Sequence, residues 1–574
     1  MRKSLFILTF IVAAVHATAA KVYFINSPHW SNVYAYMWTN GGEMSWPGKA
    51  MSRESGITCS KGEVYSIEAG SYTYIIFSNN GSPQTADLTI DPARPYWYEE
   101  NAYASIEEIE HPTPVKSVGV PSESEDVMLQ GFYWDSYETS AKYGCTKWSQ
   151  LTPQVSEWAN IFTLVWLPPS SNSSGGLGYH PTKLGSFNGS ALGTSGLLDD
   201  LIEALHNNGI RVIADIVINH IAGTSTWCDI GVQSFGTYGS FTPDMSWICK
   251  TDEVNTDSGA GACKGTATGA SDDGYGSDAN YGSARDWDHT NVKVQEMCKA
   301  YLTWLINTIH YDGFRYDYSK GYNVSHVSDY NQAAEPYLSV LEYWDGDKNT
   351  LKSRIDGAKK NTMVFDFAAK YSNFRDGIYK KNYNKLKGEG LRSIGYGKYA
   401  VTFIDNHDTF ARPENEDVAG KKDGSSVNDK DLMMRCNAYL LSMPGIPCVF
   451  YPHWVTYKEE IGAMVKARRA ARIHSESAVS EEAATGYYKA TVTGKEGGSV
   501  VLYLGSAASG NAPAGYKTAI KGSTYAMYYK EGKGAGWEAV QVETSAQGRK
   551  VLFNGQLLVE REGSYYDMFG KKIK

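Results

Sequence analysis

Positive charge is scarce in this chain. Its 54 Lys and Arg stand against 63 Asp and Glu, for a net charge of -9 and a pI near 5.8. That balance excludes the basic footprint of a nucleic-acid binder and leaves an uncharged polymer open as a partner. Long apolar runs are also missing. After an opening Met1-Arg2-Lys3, the stretch Leu5 to Val15 and the small residues Ala17-Thr18-Ala19-Ala20, which read as a secretory leader cleaved near residue 20, nothing reaches the ~18 apolar residues a membrane helix needs. The mature chain is expected to be exported, secreted or held at the cell surface, and to act as a monomer. Cysteine is thin, at 8 in 574 residues. Cys228, Cys249 and Cys263 crowd one polar stretch able to hold a bridge, whereas Cys298, Cys436 and Cys448 sit in apolar patterns as buried thiols. No EF-hand pattern occurs.

Aromatics are plentiful, with 41 Tyr and 15 Trp, a supply that suits flat contacts to sugar rings as well as a large core. At 574 residues several domains are expected. Residues 21–104 alternate short β-like runs with Asn/Gly/Ser/Pro turns, the pattern of a small all-β module. Residues 105–125, acidic and rich in Pro and Ser, have a linker's composition.

From 126 onward eight strand candidates appear: Val127 to Tyr133, Thr163 to Leu167, Val212 to Ile218, Gly313 to Asp317, Leu338 to Glu342, Met363 to Phe367, Ala400 to Asp405 and Ile446 to Tyr451. Most are continuous apolar runs, as parallel strands covered on both faces require. Helical patterns fall between them, the clearest at Leu197, Leu198, Leu201, Ile202 and Leu205, with Ser195 as a candidate N-cap and Gly209 just past the end. Eight strands alternating with helices predict an α/β fold, a (β/α)8 TIM barrel over 126–474 with its site at the C-terminal strand ends. Residues 221–289 are too long and too aperiodic for a loop, so an inserted subdomain follows strand three. A C-terminal antiparallel β domain is expected over 475–530. The tail, 531–574, reads as two short hairpins.

Acidic residues collect at the predicted strand ends. Asp317 closes the fourth strand and Glu342 the fifth, while Asp405-Asn406-His407-Asp408 follows the seventh and Asn219-His220 the third. One carboxylate at a barrel mouth is often a strand cap. Three carboxyl groups with two histidines and Arg315 on one face are not explained by stability, because burying unpaired like charge costs several kcal/mol.

The segments ADIVINH, GFRYDYSKGY, LEYW and FIDNHD resemble, in order and spacing, the four signature segments of the α-amylase family of glycoside hydrolases. The likeness runs over roughly 126–530, extends to QGFYWDS, VWLPPSS, GYHPTKLGS and PGIPCVFY, and lies nearest the plant branch, from which His180 and Lys183 depart. It implies hydrolysis of α-1,4-glucosidic bonds in starch and related α-glucans, with retention and endo action. Asp317 would be the nucleophile, Glu342 the acid/base and Asp408 the partner of the distorted sugar ring. Substrate contacts would come from Tyr179, His220, Arg315, Lys320 and His407, with His220 and His407 donating hydrogen bonds to one glucose. Tyr179 and Lys320 also have plainer readings, as core packing and a solvated charge. The family further implies a structural Ca2+ held by Asn219, Asn280 and Asp286 with backbone oxygens of Ser283 and Gly321. In the module, SNVYAYMW, SWPGKAM and IIFSNNGSPQTADLTI resemble small starch-binding β-sandwiches, which would place Tyr34, Tyr36 and Trp46 against glucose faces with Gln84 bonding a hydroxyl, unless these aromatics fill the sandwich core. The tail resembles export signals of some Gram-negative bacteria. A transglycosylase or exo-acting relative with the same carboxyl groups and a catalytically silent glucan-binding protein are the competing readings.

Overall fold

The computed structural model describes residues 21–533, except 40–41, 93, 104, 111–117, 253–254, 256–257 and 276–283, and beyond them strands Arg549–Phe553, Gln556–Arg561 and Ser564–Tyr566. The leader at 1–20 lies outside the described residues. The chain divides into two compact units, 1–116 and 117–574.

In the first unit two sheets face each other. One runs in the order Asn101–Tyr103, Tyr96–Tyr98, Lys21–Asn26, Glu63–Glu68, Ser52–Arg53, and the other in the order Gly42–Glu43, Val33–Thr39, Tyr74–Asn79, Leu88–Thr89. Period-two alternation decides what lies between them. Val33, Ala35 and Met37 turn inward to meet Val22, Phe24, Ile75 and Phe77, so Tyr34, Tyr36 and Trp38 turn outward. A short helix, Ile106–Glu110, places Ile109 on Ile25 and Val64. That packing attaches to the module a segment whose composition resembles a linker. At the other end of the same stretch Val118 and Val120 are buried in the second unit, and Gly119 donates to Pro336 O (2.9 Å) while accepting from Ser339 N (2.8 Å).

The second unit is a closed barrel of eight parallel strands, Met128–Gln130, Leu164–Trp166, Arg211–Ile216, Gly313–Tyr316, Leu338–Leu341, Met363–Phe365, Ala400–Phe403 and Ile446–Phe450. All eight expected strands are present, each with buried residues almost throughout. Helix Ser195–Asn207 turns Leu198, Leu201, Ile202 and Leu205 inward. Its N-cap is Thr194, one residue before the candidate Ser195, and Gly209 takes φ +71° just past its end, where a side chain would be strained.

The insertion is closed at its base by His220–Ile221 pairing with Arg285–Asp286. Inside it a disulfide joins Cys228 to Cys263, and a fully buried ion pair sets Arg285 Nε 2.7 Å from Asp252. Cys249, Cys298, Cys436 and Cys448 are buried thiols. Beyond helix Lys458–Ala470 comes a five-stranded antiparallel sheet, residues 478–530, whose inward residues Tyr488, Ala490, Val492, Leu502 and Leu504 join the barrel's core. The tail strands 549–566 form a three-stranded antiparallel meander. Among the described residues no helix is long and apolar enough to cross a membrane.

Candidate active site

Parallel strands in a closed barrel deliver the residues after their last ladder bond to one rim. Arg315 lies within the fourth strand, fully buried, and Asp317 follows it immediately. The register Arg315↔Asp215 and Arg315↔Val340 sets the guanidinium between strands three and five. Arg315 Nη1 donates to Asp215 Oδ1 at 2.8 Å and to Asp317 Oδ1 at 2.6 Å. Its Nη2 lies 2.9 Å from Glu342 Oε1, in ion-pair rather than hydrogen-bond alignment. One guanidinium therefore gathers three carboxyl groups, as its planar fork allows and an ammonium's point charge does not.

The turn after strand four holds Glu342 from the other side. Tyr318 adopts φ +46°, which is uncommon for a bulky residue and a mark of strain retained at a working site. In that conformation its N–H donates to Glu342 Oε2 (2.9 Å), and Ser319 Oγ donates to Glu342 O (2.7 Å). Asp408 stands near enough to feel the charge of Glu342.

Burial dominates the electrostatics. It raises Asp317 against the opposing pull of Arg315, and it raises Glu342 with Asp317 adding to the effect. Asp408 is pushed well above the usual carboxylate range by burial and then by Glu342. Asp215 is lifted by burial to about 7. For Arg315 burial opposes the charge, but the carboxylates outweigh it and hold the guanidinium firmly protonated.

Both histidines are neutral. Burial lowers His220 to about 4 and His407 well below its ordinary value. Gln130, at the end of strand one, donates to His407 Nδ1 at 3.0 Å, so the ring's proton is on Nε2, 3.1 Å from Asp408 Oδ2. His220 departs from expectation. Asn219 Nδ2 donates to its Nδ1 at 3.3 Å, and its Nε2 donates to the Tyr179 carbonyl oxygen at 2.8 Å. A neutral imidazole has one N–H. That of His220 fixes the Tyr179 backbone and is not available to a glucose hydroxyl.

Tyr179 is 9% exposed and lies nearly parallel to His407, with centroids 5.2 Å apart. Its hydroxyl donates to Asp215 (2.7 Å), which also accepts from Trp166 Nε1 (3.1 Å). Lys320 is half-buried, with Nζ 5.6 Å from the centre of the Tyr343 ring. Behind strand seven Lys370, buried, donates to Ile404 O (2.8 Å) and Asp405 Oδ1 (3.0 Å), fixing the start of the turn that carries His407 and Asp408.

Of the expected calcium ligands, Asn280 and Ser283 lie outside the described residues. Asn219, Asp286 and Gly321 come together. Asn219 Nδ2 donates to Asp286 Oδ1 at 3.2 Å, its Oδ1 is buried without a hydrogen-bond partner, and a Cβ on Gly321 would fall 1.7 Å from that oxygen. Among the described residues no group of three or more His, Cys, Asp or Glu could hold a metal by itself.

In the module, Tyr36 neighbours Trp46 (5.3 Å) and Trp38 (5.4 Å) on the outer sheet face. Trp46 is 49% exposed. Tyr34 pairs in register with Ser78, which bridges Gln84, so all four predicted contacts lie on or beside one face. The aromatics do not fill the sandwich core.

Several groups of this site escape a reading of strand ends alone. Gln130 ends strand one and Asp215 sits one residue before the end of strand three, so their positions hinted at a role. Lys370 gave no such signal.

A sequence model of the α-amylase catalytic domain matches residues 161–489, and one of starch-binding module 26 matches residues 22–90. "Probable alpha-amylase 2" of Arabidopsis thaliana is 30% identical over 432 residues, covering 71% of this chain and 95% of that protein. The glucan 1,4-alpha-maltotetraohydrolase of Stutzerimonas stutzeri is 27% identical over 412 residues, 65% of this chain and 67% of that enzyme. A crystal structure of an Anoxybacillus α-amylase superposes with a TM-score of 0.51 at 13% identity, covering 72% of this chain and 99% of that one, a likeness of fold. The catalytic-domain model spans over half of the sequence and the Arabidopsis protein aligns over nearly its whole length, and on these grounds the chain belongs to the α-amylase family of glycoside hydrolases.

Proposed function

We propose that this protein is an exported, endo-acting α-amylase that cleaves α-1,4-glucosidic bonds of starch with retention of configuration. The observation that carries the reading is Arg315, whose two terminal nitrogens reach Asp317 and Glu342 at 2.6 and 2.9 Å. Two carboxyl groups drawn to one guanidinium are close neighbours, as a retaining glycosidase needs (~5 Å).

The roles follow from their surroundings. Asp317 takes the short bond from Arg315, which favours its ionised form, and attacks the anomeric carbon. Glu342, raised by burial and by Asp317, delivers its proton to the glycosidic oxygen as that bond breaks. The same carboxylate then takes a proton from water, which displaces Asp317 from the sugar. Two inversions give net retention. Asp408, with His407 Nε2 3.1 Å from its carboxyl, faces the sugar whose ring distorts, Tyr179 lies beneath it, and Lys320 serves the leaving side.

Asn219, Asp286 and the Gly321 backbone fit a calcium ion, and by the family resemblance Asn280 and Ser283 would supply its other ligands. The free amide oxygen and the space kept open by Gly321 are what a hard cation's oxygen shell asks for. The ion would staple the insertion to strand three and takes no part in the chemistry. The outer aromatic face of the module, with Trp46 exposed, would hold the polymer. The leader at 1–20 supports export, and the tail supports a surface-sorting step.

The mechanism is tested by proton NMR of the first products released from a maltooligosaccharide. The α-anomer is expected. An initial β-anomer, or near wild-type activity in folded Glu342→Gln or Asp317→Asn, would overturn the assignment, since each loss should reach several orders of magnitude.

A further inference from the structure

The loop after strand seven brings a second arginine to the cleft. Arg412 follows Ala411, which holds φ +54°, a strained value for a residue with a Cβ. Its guanidinium lies 3.7 Å from the centre of the Trp134 ring. Trp134, four residues past strand one, is nearly parallel to both Tyr179 (5.8 Å, 9°) and His407 (6.0 Å, 8°). Arg412 is thus seated on the aromatic group that flanks the Tyr179 platform, with its side chain 22% exposed. Its charge reaches both Asp408 and His407.

Among the described residues no hydrogen bond holds this arginine in place. Its Nε is buried without a hydrogen-bond partner, and the carboxylate at 3.5 Å, that of Glu414, is 65% exposed, a pairing of little worth in water. A stacked guanidinium is held in one orientation while its N–H edge stays free to donate. The ligand it suits is neutral and rich in hydroxyls, because Asp317, Glu342 and Asp408 disfavour an anion beside them. Lys320 and Tyr343 stand on the leaving side. Trp134 and Arg412 adjoin Tyr179, His407 and Asp408 instead.

We infer that Arg412, laid on Trp134, is a specificity-determining residue of the glycone side, donating hydrogen bonds to hydroxyls of the glucose that precedes the one over Tyr179. This rests on the roles proposed above for Tyr179, Asp408 and Lys320. It predicts that Arg412 governs where along an oligosaccharide the chain is cut.

The experiment uses the full chain and maltooligosaccharides of three to seven units labelled at the reducing end, scoring KM, kcat, bond-cleavage frequencies and the pH profile. Arg412→Met keeps the length and loses the charge, whereas Arg412→Lys keeps the charge and loses the fork. Both variants should raise KM about tenfold for maltoheptaose, change kcat less than about threefold and shift the preferred cleavage position, a loss in keeping with one or two charge-assisted hydrogen bonds. Arg412→Lys should also retain the wild-type pH profile. Unchanged KM and cleavage pattern in both variants would overturn the inference. So would a uniform fall in kcat for every chain length with a displaced acidic limb in Arg412→Met alone, which would make Arg412 a tuner of Asp408. If Arg412→Met melts early, Arg412→Lys decides. An active Glu342→Gln variant would overturn the proposed roles themselves, whereas an inactive one beside silent Arg412 variants would overturn this inference alone.

Discussion

Replacing Arg315 by Lys tests the electrostatic design most directly. The native guanidinium is fully buried and reaches Asp215, Asp317 and Glu342 at 2.8, 2.6 and 2.9 Å. A lysine keeps the positive charge but presents a single nitrogen, which cannot occupy the positions of both Nη1 and Nη2. At least one charge-assisted contact is lost, at about 1.5–3 kcal/mol, or roughly 10- to 150-fold in kcat/KM if the loss falls on Asp317 in the transition state. The pH profile gives the sign. Burial raises Asp317 and Arg315 opposes it, so weakening that opposition raises Asp317 further and moves the acidic limb of kcat/KM to higher pH, about one unit for each ~1.4 kcal/mol. The assay is the initial rate of reducing-end release from soluble starch between pH 4 and pH 9, with thermal unfolding as the control for folding. A variant within threefold of wild type, with its acidic limb unmoved, would refute the claim that this arginine holds the nucleophile ionised.

Other expectations follow from the same structure. Strong chelator should lower the melting temperature by removing a ligand of the folded state; an unchanged transition, with no metal in the purified protein, would remove calcium from the account. His289 is buried neutral, lowered to about 4 by burial, and links Ile218 O to Tyr330 (2.9 and 2.7 Å). The unfolded chain takes up this proton first, so the share of stability that His289 contributes should shrink as pH drops from ~6.5 to ~4, by up to about 3 kcal/mol, and His289→Gln should flatten the pH slope relative to wild type in denaturant titrations. In the module, Trp46→Ala should weaken granule pull-down well over tenfold while shifting the module's melting point little, because the ring is 49% exposed; unfolding of the variant would place the ring's role in packing.

Much of the fold was legible because parallel barrel strands are buried on both faces and so read as unbroken apolar runs. Strand ends were legible for the same reason: Asp317 and Glu342 interrupt those runs where the ladder stops. Long-range pairing was not. Nothing local says that the His220 proton belongs to Tyr179 O, that Gln130 sets the His407 tautomer, or that Arg412 lies on Trp134, because each depends on loops from different strands meeting at the rim. Composition misled at 118–120, where Val-Gly-Val among Ser and Pro reads as linker, yet Gly119 at φ +77° bonds Pro336 and Ser339 and buries both valines. The module's outward aromatics followed from alternation, but which face is inward is settled by Val33, Ala35 and Met37 meeting the second sheet.

The four carboxyl groups around Arg315 show how one neighbourhood assigns opposite tasks to like groups. Burial raises all of them, and a single buried cation cannot offset four buried negative charges. Glu342 and Asp408 are neighbours, and the charge of Glu342 adds to burial in raising Asp408. Asp215, near 7, accepts from Tyr179, Trp166 and Arg315. Asp317 alone couples a 2.6 Å bond from Arg315 with partial access to the cleft, its side chain being 11% exposed. In the proposed roles, the group that takes the short bond from Arg315 is the one that attacks, and Glu342, raised by burial and by Asp317, is the one that gives up a proton. Under the proposed roles, nucleophile and acid differ less by their own chemistry than by which nitrogen of Arg315 each one meets.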